Sequence, residues 1–276
     1  MVEVRVGLAK LGNIGTSSML DLMLDERAER EDIDFRVLCS GPKMRKEDGK
    51  ELADKLQGFD PDLIIISSPN PSTPGPTAAR ETVSDLDIPR VIIGDAPGTR
   101  IKDDLEKAGF GYLFILADAM IGARREFLDP IEMSLFNADL IKVLSVTGAF
   151  RVVQEEIDKI ISAEKTGNSY IPQLVVDRDT AISAADFENP YARAKAMAAY
   201  EMASKVADLD VEGCFQVHEE SKYVPIVASA HEMMRSAANL ADEARELEKS
   251  EDSVLRKPHA DDGDILSKNK LMESLK

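Results

Sequence analysis

The feature that most constrains the fold of this chain is a regular alternation of strand and helix patterns over its first 117 residues. Residues 63–67 (Leu-Ile-Ile-Ile-Ser) form a continuous apolar run, which is typical of a buried parallel strand. Further strands are predicted at 2–8, 35–39, 91–93 and 112–116, with helices at 17–28, 45–56, 76–83 and 101–108. This β-α-β-α order predicts a parallel sheet with helices on both faces. We therefore expect residues 1–117 to form a Rossmann-like α/β domain.

The pattern becomes mainly helical from residue 118 onward. Residues 118–165 are predicted to be almost continuous helix. Residues 189–207 and 227–249 predict two further long helices, with the alanine-rich composition of closely packed helices.

Short strand patterns at 174–176, 214–217 and 223–226 interrupt this helical region. The last two flank a polar turn, so they are expected to pair as a β hairpin. Residues 118–276 are thus predicted to form a helical bundle with a small β hairpin and an extended C-terminal tail.

Charge and cysteine content exclude several classes of partner. The formal net charge of −17 opposes binding to nucleic acid or to an anionic membrane, and it requires basic groups to be concentrated at any site for an anionic ligand. There is no bilayer-length apolar run and no signal-peptide layout. Cys39 and Cys214 lie far apart, which fits a reducing cytoplasm. With only three histidines, no metal site is expected.

The first candidate site is the turn between the first predicted strand and helix, where α/β sheets bind phosphates. Its candidate cofactor-binding residues are Lys10, Gly12, Asn13, Gly15, Thr16 and Ser17. Lys10 replaces the first glycine of the dinucleotide fingerprint, and no acidic residue follows the second strand to hold a ribose. The turn therefore favours an anionic cofactor other than NAD(P). The alternative is a plain turn in which Thr16 or Ser17 caps the helix.

Two further loops follow predicted parallel strands and are expected at the same edge of the sheet. Pro69 and Asn70 begin a loop with four prolines in eight residues, stiff enough to lose little entropy when a ligand binds. Asp95, Ala96 and Pro97 follow the strand at 91–93. All five are predicted cofactor contacts; the alternatives are a structural turn for the proline loop and an Asx-type turn or helix cap for Asp95.

Candidate substrate-binding residues lie at the junction of the two halves and on the last long helix. They are Met120, Arg124, Arg125, Glu126, His231 and Arg235. The arginine pair suits phosphate or carboxylate, although an internal ion-pair network with Glu126 and Asp129 is the alternative. His231 and Arg235 occupy the two histidine positions of an H-E-x-x-H zinc motif, so the arginine excludes a zinc site there.

Taken in order, these motifs resemble one family. Lys10-Leu-Gly-Asn-Ile-Gly-Thr-Ser, Gly94-Asp-Ala-Pro-Gly, the stretch from Asp118 to Pro130 and Ala230-His-Glu-Met-Met-Arg resemble the coenzyme F420-dependent methylenetetrahydromethanopterin dehydrogenases of archaea. The resemblance runs over almost the whole chain. It implies hydride transfer between methylene-tetrahydromethanopterin and coenzyme F420 (8-hydroxy-5-deazaflavin), without metal, flavin or nicotinamide, in a homohexamer.

The implied chemistry needs little from titratable side chains. Oxidation of a methylene bridge between two nitrogens gives a cation that the nitrogens share, so no residue is expected to act as an essential general acid or base. A carboxylate near the cation would help, and Asp95 is the first candidate, with Glu126 and Asp129 in reserve. Two alternatives stay open: an NAD(P)-dependent C1-pterin or folate dehydrogenase, and a non-catalytic ligand-binding protein.

Overall fold

A computed structural model describes residues 3–276 of the chain and shows one six-stranded parallel sheet. Its strands are β1 (Val4–Lys10), β2 (Ile33–Cys39), β3 (Leu63–Ser68), β4 (Arg90–Gly94), β5 (Gly111–Ile115) and β6 (Gln173–Val176), in the spatial order β2-β1-β3-β4-β5-β6. The predicted α/β fold class is confirmed. The predicted strand start at residue 2 lies outside the described residues. Because β6 comes from the second half, the sheet crosses the predicted boundary at residue 117.

Helices cover both faces of the sheet. They are α1 (Gly15–Leu24), α2 (Lys46–Gln57), α3 (Pro74–Thr82), α4 (Lys102–Lys107), α5 (Pro130–Val146), α6 (Ala149–Thr166), α7 (Arg178–Ala185), α8 (Pro190–Val211) and α9 (Glu220–Ser250). One core joins the sheet to α1, α5, α6, α8 and α9, and a second joins the opposite face to α2, α3 and α4. Successive residues of β3 point alternately into the two cores, which is why its apolar run is continuous.

The predicted continuous helix over 118–165 is wrong at both its start and its middle. Residues 116–129 form a loop, because Asp129 caps α5 with bonds from Ile131 N (2.9 Å) and Glu132 N (2.7 Å), and Pro130 occupies its first turn. Gly148, with a φ of 91°, then separates α5 from α6.

The predicted hairpin over 214–226 is also wrong. Residues Glu212–Gln216 form a π-helical turn that continues α8, and 223–226 lie inside α9. Tyr223, Val227 and Ala230 are buried at helical spacing, and this longer pattern outweighs the short strand-like run. Close packing of α8 against α9 rests on buried alanines on both helices, as their composition predicts.

Of the helices within residues 3–276, none alone is both long and apolar enough to cross a membrane. Only α5 and α6 together, across a 67° bend, have the necessary length and composition.

The C-terminal tail lies over the surface, and one buried histidine holds it in place. His259 is 1% exposed, and its Nδ1 and Nε2 each lie 2.8 Å from a carboxylate oxygen, of Glu26 and Asp158 respectively. Arg30 joins Asp158 to the fully buried Asp32. Burial lowers the pKa of His259, but the bond to Asp158 and the charges around it outweigh burial, and the net pKa is raised.

A histidine whose pKa is raised on folding stabilises the fold at pH values below its pKa in the unfolded chain. That contribution is lost as the pH rises through its pKa in the folded protein. We expect His259→Gln to lower the free energy of unfolding by about 1.5–3 kcal/mol at pH 6. The difference should narrow at alkaline pH, as measured by urea denaturation. His218→Gln, at an exposed position, is the matched control. A difference that does not change with pH would contradict the role of the imidazolium.

Candidate active site

Three loops meet where the parallel strands β1, β3 and β4 end. Gly12, with a φ of 79°, packs so closely against the loop after β3 that a Cβ there would lie 2.9 Å from Pro69 Cδ. A Cβ at Gly94 would lie 2.8 Å from Pro71 Cγ. The structure therefore brings the first three predicted motifs together at one edge of the sheet.

A buried carboxylate, Asp118, closes the N-terminus of α1. Its two oxygens accept bonds from Gly15 N (2.6 Å) and Thr16 N (2.9 Å), and the residue is 0% exposed. Burial raises the pKa of Asp118 to about 6, against the lowering effect of these bonds. The helix-end amides that would hold a nucleotide phosphate are thus occupied by the protein itself. Sequence reasoning missed Asp118, whose only signal was its place after a parallel strand.

Most of the first predicted motif is therefore structural. Gly15, Thr16 and Ser17 are buried, and the Ser17 hydroxyl lies 2.6 Å from that of Ser67. The predicted capping by Thr16 or Ser17 is wrong, because both lie inside α1, with Ile14 at the cap position.

Two residues of this motif retain some contact with solvent. Asn13 is exposed and donates to the Asn137 side chain on α5 (3.1 Å). Lys10 keeps 11% of its side chain exposed, but its ammonium is ion-paired with Asp21 of α1. A ligand anion would have to compete with that carboxylate. Asn70, in the loop after β3, is half-buried.

Asp95 differs from the expected charged group. It is 2% exposed, and its carboxylate accepts a bond from Ala96 N. Burial raises the pKa of Asp95 well above its usual value, and the charges of Asp118 and Asp210 add to the rise. Burial therefore disfavours the charged form of Asp95, against the negative charge predicted there. Ala96 and Pro97 next to it are half-buried.

Some predicted substrate residues of the 116–129 loop are accessible, whereas Arg124 is bound within the protein and holds the loop in place. Arg124 donates to the carbonyls of Gly213 and Val217, both at 2.9 Å, and its guanidinium lies 4.1 Å from the Tyr223 ring centre. Arg125 and Glu126 are exposed, and Met120 is half-buried.

The two reserve carboxylates differ in their availability. Bonds from its own backbone amide and from the Tyr223 hydroxyl lower the pKa of Glu126, so it is ionised at neutral pH. Asp129 instead serves as the α5 cap described above.

His231 and Arg235 both face α5. The Nδ1 atom of His231 lies 2.8 Å from Glu132 Oε1, and its ring lies against Phe127 and Phe136. Burial lowers the pKa of His231, against the raising effect of Glu132. Arg235 forms an ion pair with Asp139 (2.9 Å). These two residues therefore fix α9 against α5 beside the loop.

The loop after β2 supplies basic groups that sequence reasoning missed. Lys43 and Lys46 are exposed, and neither forms an ion pair within residues 3–276. The Lys43 carbonyl accepts from Ser40 Oγ (2.6 Å), which fixes the turn at the carboxyl edge. The run Lys43-Met44-Arg45-Lys46 in so acidic a chain was the available signal. Across the described residues, no group of three or more potential ligands is placed to hold a metal.

Comparison with known proteins places these features in context. Residues 4–276 match the family model described as methylene-5,6,7,8-tetrahydromethanopterin dehydrogenase. The F420-dependent methylenetetrahydromethanopterin dehydrogenase of Methanothermobacter thermautotrophicus is 56% identical over 98% of both chains. The enzyme of the same name from Methanocaldococcus jannaschii is 58% identical over 98% of both.

A solved structure is also similar over the full length of both chains. It is an F420-dependent methylene-tetrahydromethanopterin dehydrogenase in complex with methylene-tetrahydromethanopterin and coenzyme F420. The identity is 54% and the TM-score 0.96, with 100% of each chain covered.

The role of Asp118 predicts a specific loss of stability. Asp118→Ala leaves the Gly15 and Thr16 amides buried without an acceptor, so we expect a loss of about 1–3 kcal/mol in the free energy of unfolding. Asp129→Ala removes the exposed cap of α5 and should cost about 1 kcal/mol. Urea denaturation measures both. A loss for Asp118→Ala no larger than for Asp129→Ala would contradict a buried cap.

Proposed function

The chain belongs to the methylene-5,6,7,8-tetrahydromethanopterin dehydrogenase family, and on that basis we propose that it transfers a hydride between methylene-tetrahydromethanopterin and coenzyme F420. The products are methenyl-tetrahydromethanopterin and the reduced coenzyme, in the C1 metabolism of methanogenesis. The observation that carries the proposal is the full-length similarity to a structure that holds both ligands.

The carboxyl edge of the sheet fits a deazaflavin better than a dinucleotide. Asp118 occupies the amides that would bind a pyrophosphate, while the exposed Lys43 and Lys46 offer cations to a phosphate and to glutamyl carboxylates. When bound, the deazaflavin supplies the ring carbon that accepts the hydride. Asn13, Asn70, Ala96 and Pro97 are the predicted contacts that remain accessible to it.

The work of the chain is positioning. Since the methenyl product shares its charge between two nitrogens, no side chain needs to remove a proton from the reacting carbon. The loops must hold the two carbons about 3–3.5 Å apart. Glu126 is the carboxylate that we expect to attract the cation, since burial disfavours the charged form of Asp95 and Asp129 caps a helix. Met120, Arg125 and Glu126 are the exposed or half-buried groups for the substrate.

We also propose that the chain assembles as a homohexamer in the cytoplasm. The first turns of α5 expose Ile131 (68%), Met133 (41%) and Leu135 (45%), an apolar surface that another copy would cover. Cys39 and Cys214 are both free thiols, as a reducing compartment favours.

Coenzyme choice tests the proposed function against its alternatives. We expect methylene-tetrahydromethanopterin to reduce coenzyme F420, followed by absorbance, and NAD and NADP to be inactive because Asp118 blocks the phosphate position. Comparable turnover with NADP would identify a nicotinamide enzyme. Binding of both ligands without turnover would identify a non-catalytic ligand-binding protein.

Two lysine variants separate cofactor binding from structure. Lys43→Ala should raise the KM for coenzyme F420 about tenfold, because it removes one charge-assisted contact of about 1.5 kcal/mol. Its melting temperature should not change. Lys10→Ala is the matched variant: it breaks the ion pair with Asp21, so it should lower the melting temperature and leave the KM unchanged. A raised KM in Lys10→Ala, with the KM of Lys43→Ala unchanged, would show that Lys10 and not Lys43 binds the anion of the cofactor.

A further inference from the structure

One buried acid at the junction has no partner in the part of the chain that the structure describes. Asp210 lies in the last turn of α8 and is 1% exposed, yet neither of its carboxyl oxygens has a hydrogen-bond partner among residues 3–276. Asp118 bonds two amides, Asp158 bonds Arg30 and His259, and Glu248 bonds Asn189 N (2.7 Å). Asp210 is therefore an unsatisfied buried group that needs an explanation.

The 116–129 loop lies directly on this carboxyl. A Cβ at Gly122 would lie 2.5 Å from Asp210 Oδ1 and 2.7 Å from Val227 Cγ1. The approach is possible only because residue 122 has no side chain. Gly122 thus covers Asp210, and the exposed residues Arg125 and Glu126 follow it closely in the same loop.

The charged and titratable groups around Asp210 do not neutralise it. Asp95 faces it from the end of β4, and Cys214 faces it from the π-helical turn. Arg124 lies near Cys214, but its guanidinium is committed to the Gly213 and Val217 carbonyls. Burial raises the pKa of Asp210 to about 8, so the carboxyl is neutral at pH 7. A neutral carboxyl beneath a loop can gain a charge when a cation arrives above it.

We propose that Asp210 is a charge-compensating residue for the methenyl product, and that it releases its proton when that cation binds over the 116–129 loop. The inference rests on the proposed function. The oxygen–hydrogen bond of the carboxyl breaks, the electron pair stays on the carboxylate and the proton passes to solvent. Asp210 takes no part in moving the hydride, so the carbon–hydrogen chemistry is unchanged. The carboxylate attracts the cation through the glycine of the loop.

Proton release on binding tests this directly. Methenyl- and methylene-tetrahydromethanopterin are titrated separately into the full chain at pH 7, by calorimetry in two buffers of different ionisation enthalpy. We expect the methenyl cation to release about one proton per site and the neutral methylene compound none. In Asp210→Asn the release should disappear, and the affinity for the methenyl compound alone should fall about tenfold. Asp95→Asn, at another buried acid whose pKa is raised, should still release the proton.

Stability provides a second measurement with a definite sign. An acid whose pKa is raised on folding makes the fold less stable as the pH rises from the pKa of that acid in the unfolded chain to its pKa in the folded protein. Asp210→Asn should therefore melt at a higher temperature than the original chain at pH 9, with a smaller difference at pH 5. A residue that served structure alone would instead lower the melting temperature when replaced.

Each other outcome overturns the inference. Release that persists in Asp210→Asn and vanishes in Asp95→Asn would assign the proton to Asp95. Equal weakening of both ligands, or a lower melting temperature at pH 9, would make Asp210 structural. Binding without any proton release would remove this inference and leave the proposed function intact. Failure of the unaltered chain to bind either ligand would overturn both.

Discussion

The bond between Asp118 and the first amides of α1 is the interaction on which the site depends. In a dinucleotide-binding sheet those amides face a pyrophosphate, whereas here a carboxylate from the end of β5 takes that position. The approach requires Gly15, where a Cβ would lie 3.0 Å from Asp118 Oδ1 and 2.9 Å from Leu144 Cδ1. The same bond fixes the start of the 116–129 loop against α1, so the turn whose amides Asp118 occupies also positions the loop that we propose for the substrate.

The loop is held at its other end by a different kind of contact. Arg124 donates to the carbonyls of Gly213 and Val217, and its guanidinium stacks on the Tyr223 ring. The helical half of the molecule therefore sets the position of Arg125 and Glu126. The sheet and the helices thus each hold one end of the same loop. The two halves are joined further by β6, a strand from the second half that completes the sheet.

The parts of the fold that could be predicted are those with local signals. Continuous apolar runs located β3 and β5, and the alanine-rich period located α8 and α9. The hairpin prediction failed because Tyr223 and Val227 pack against the 116–129 loop and the π-helical turn, which a short window does not include. Asp118 lies 103 positions from Gly15 and 102 from Thr16 in the sequence, so no local pattern could reveal that Thr16 is buried. Lys43 was detectable only as a basic residue in an acidic chain.

In the proposed function the chain places two ligands for direct hydride transfer, and no side chain handles the transferred hydrogen. Substrate carrying deuterium at the methylene bridge, incubated with oxidised coenzyme F420 in ordinary water, tests it in a single turnover followed by mass spectrometry. We expect the deuterium to appear in the reduced coenzyme. Deuterium that washes out into water during the transfer would contradict it and would require a side chain that exchanges protons with the reacting carbon.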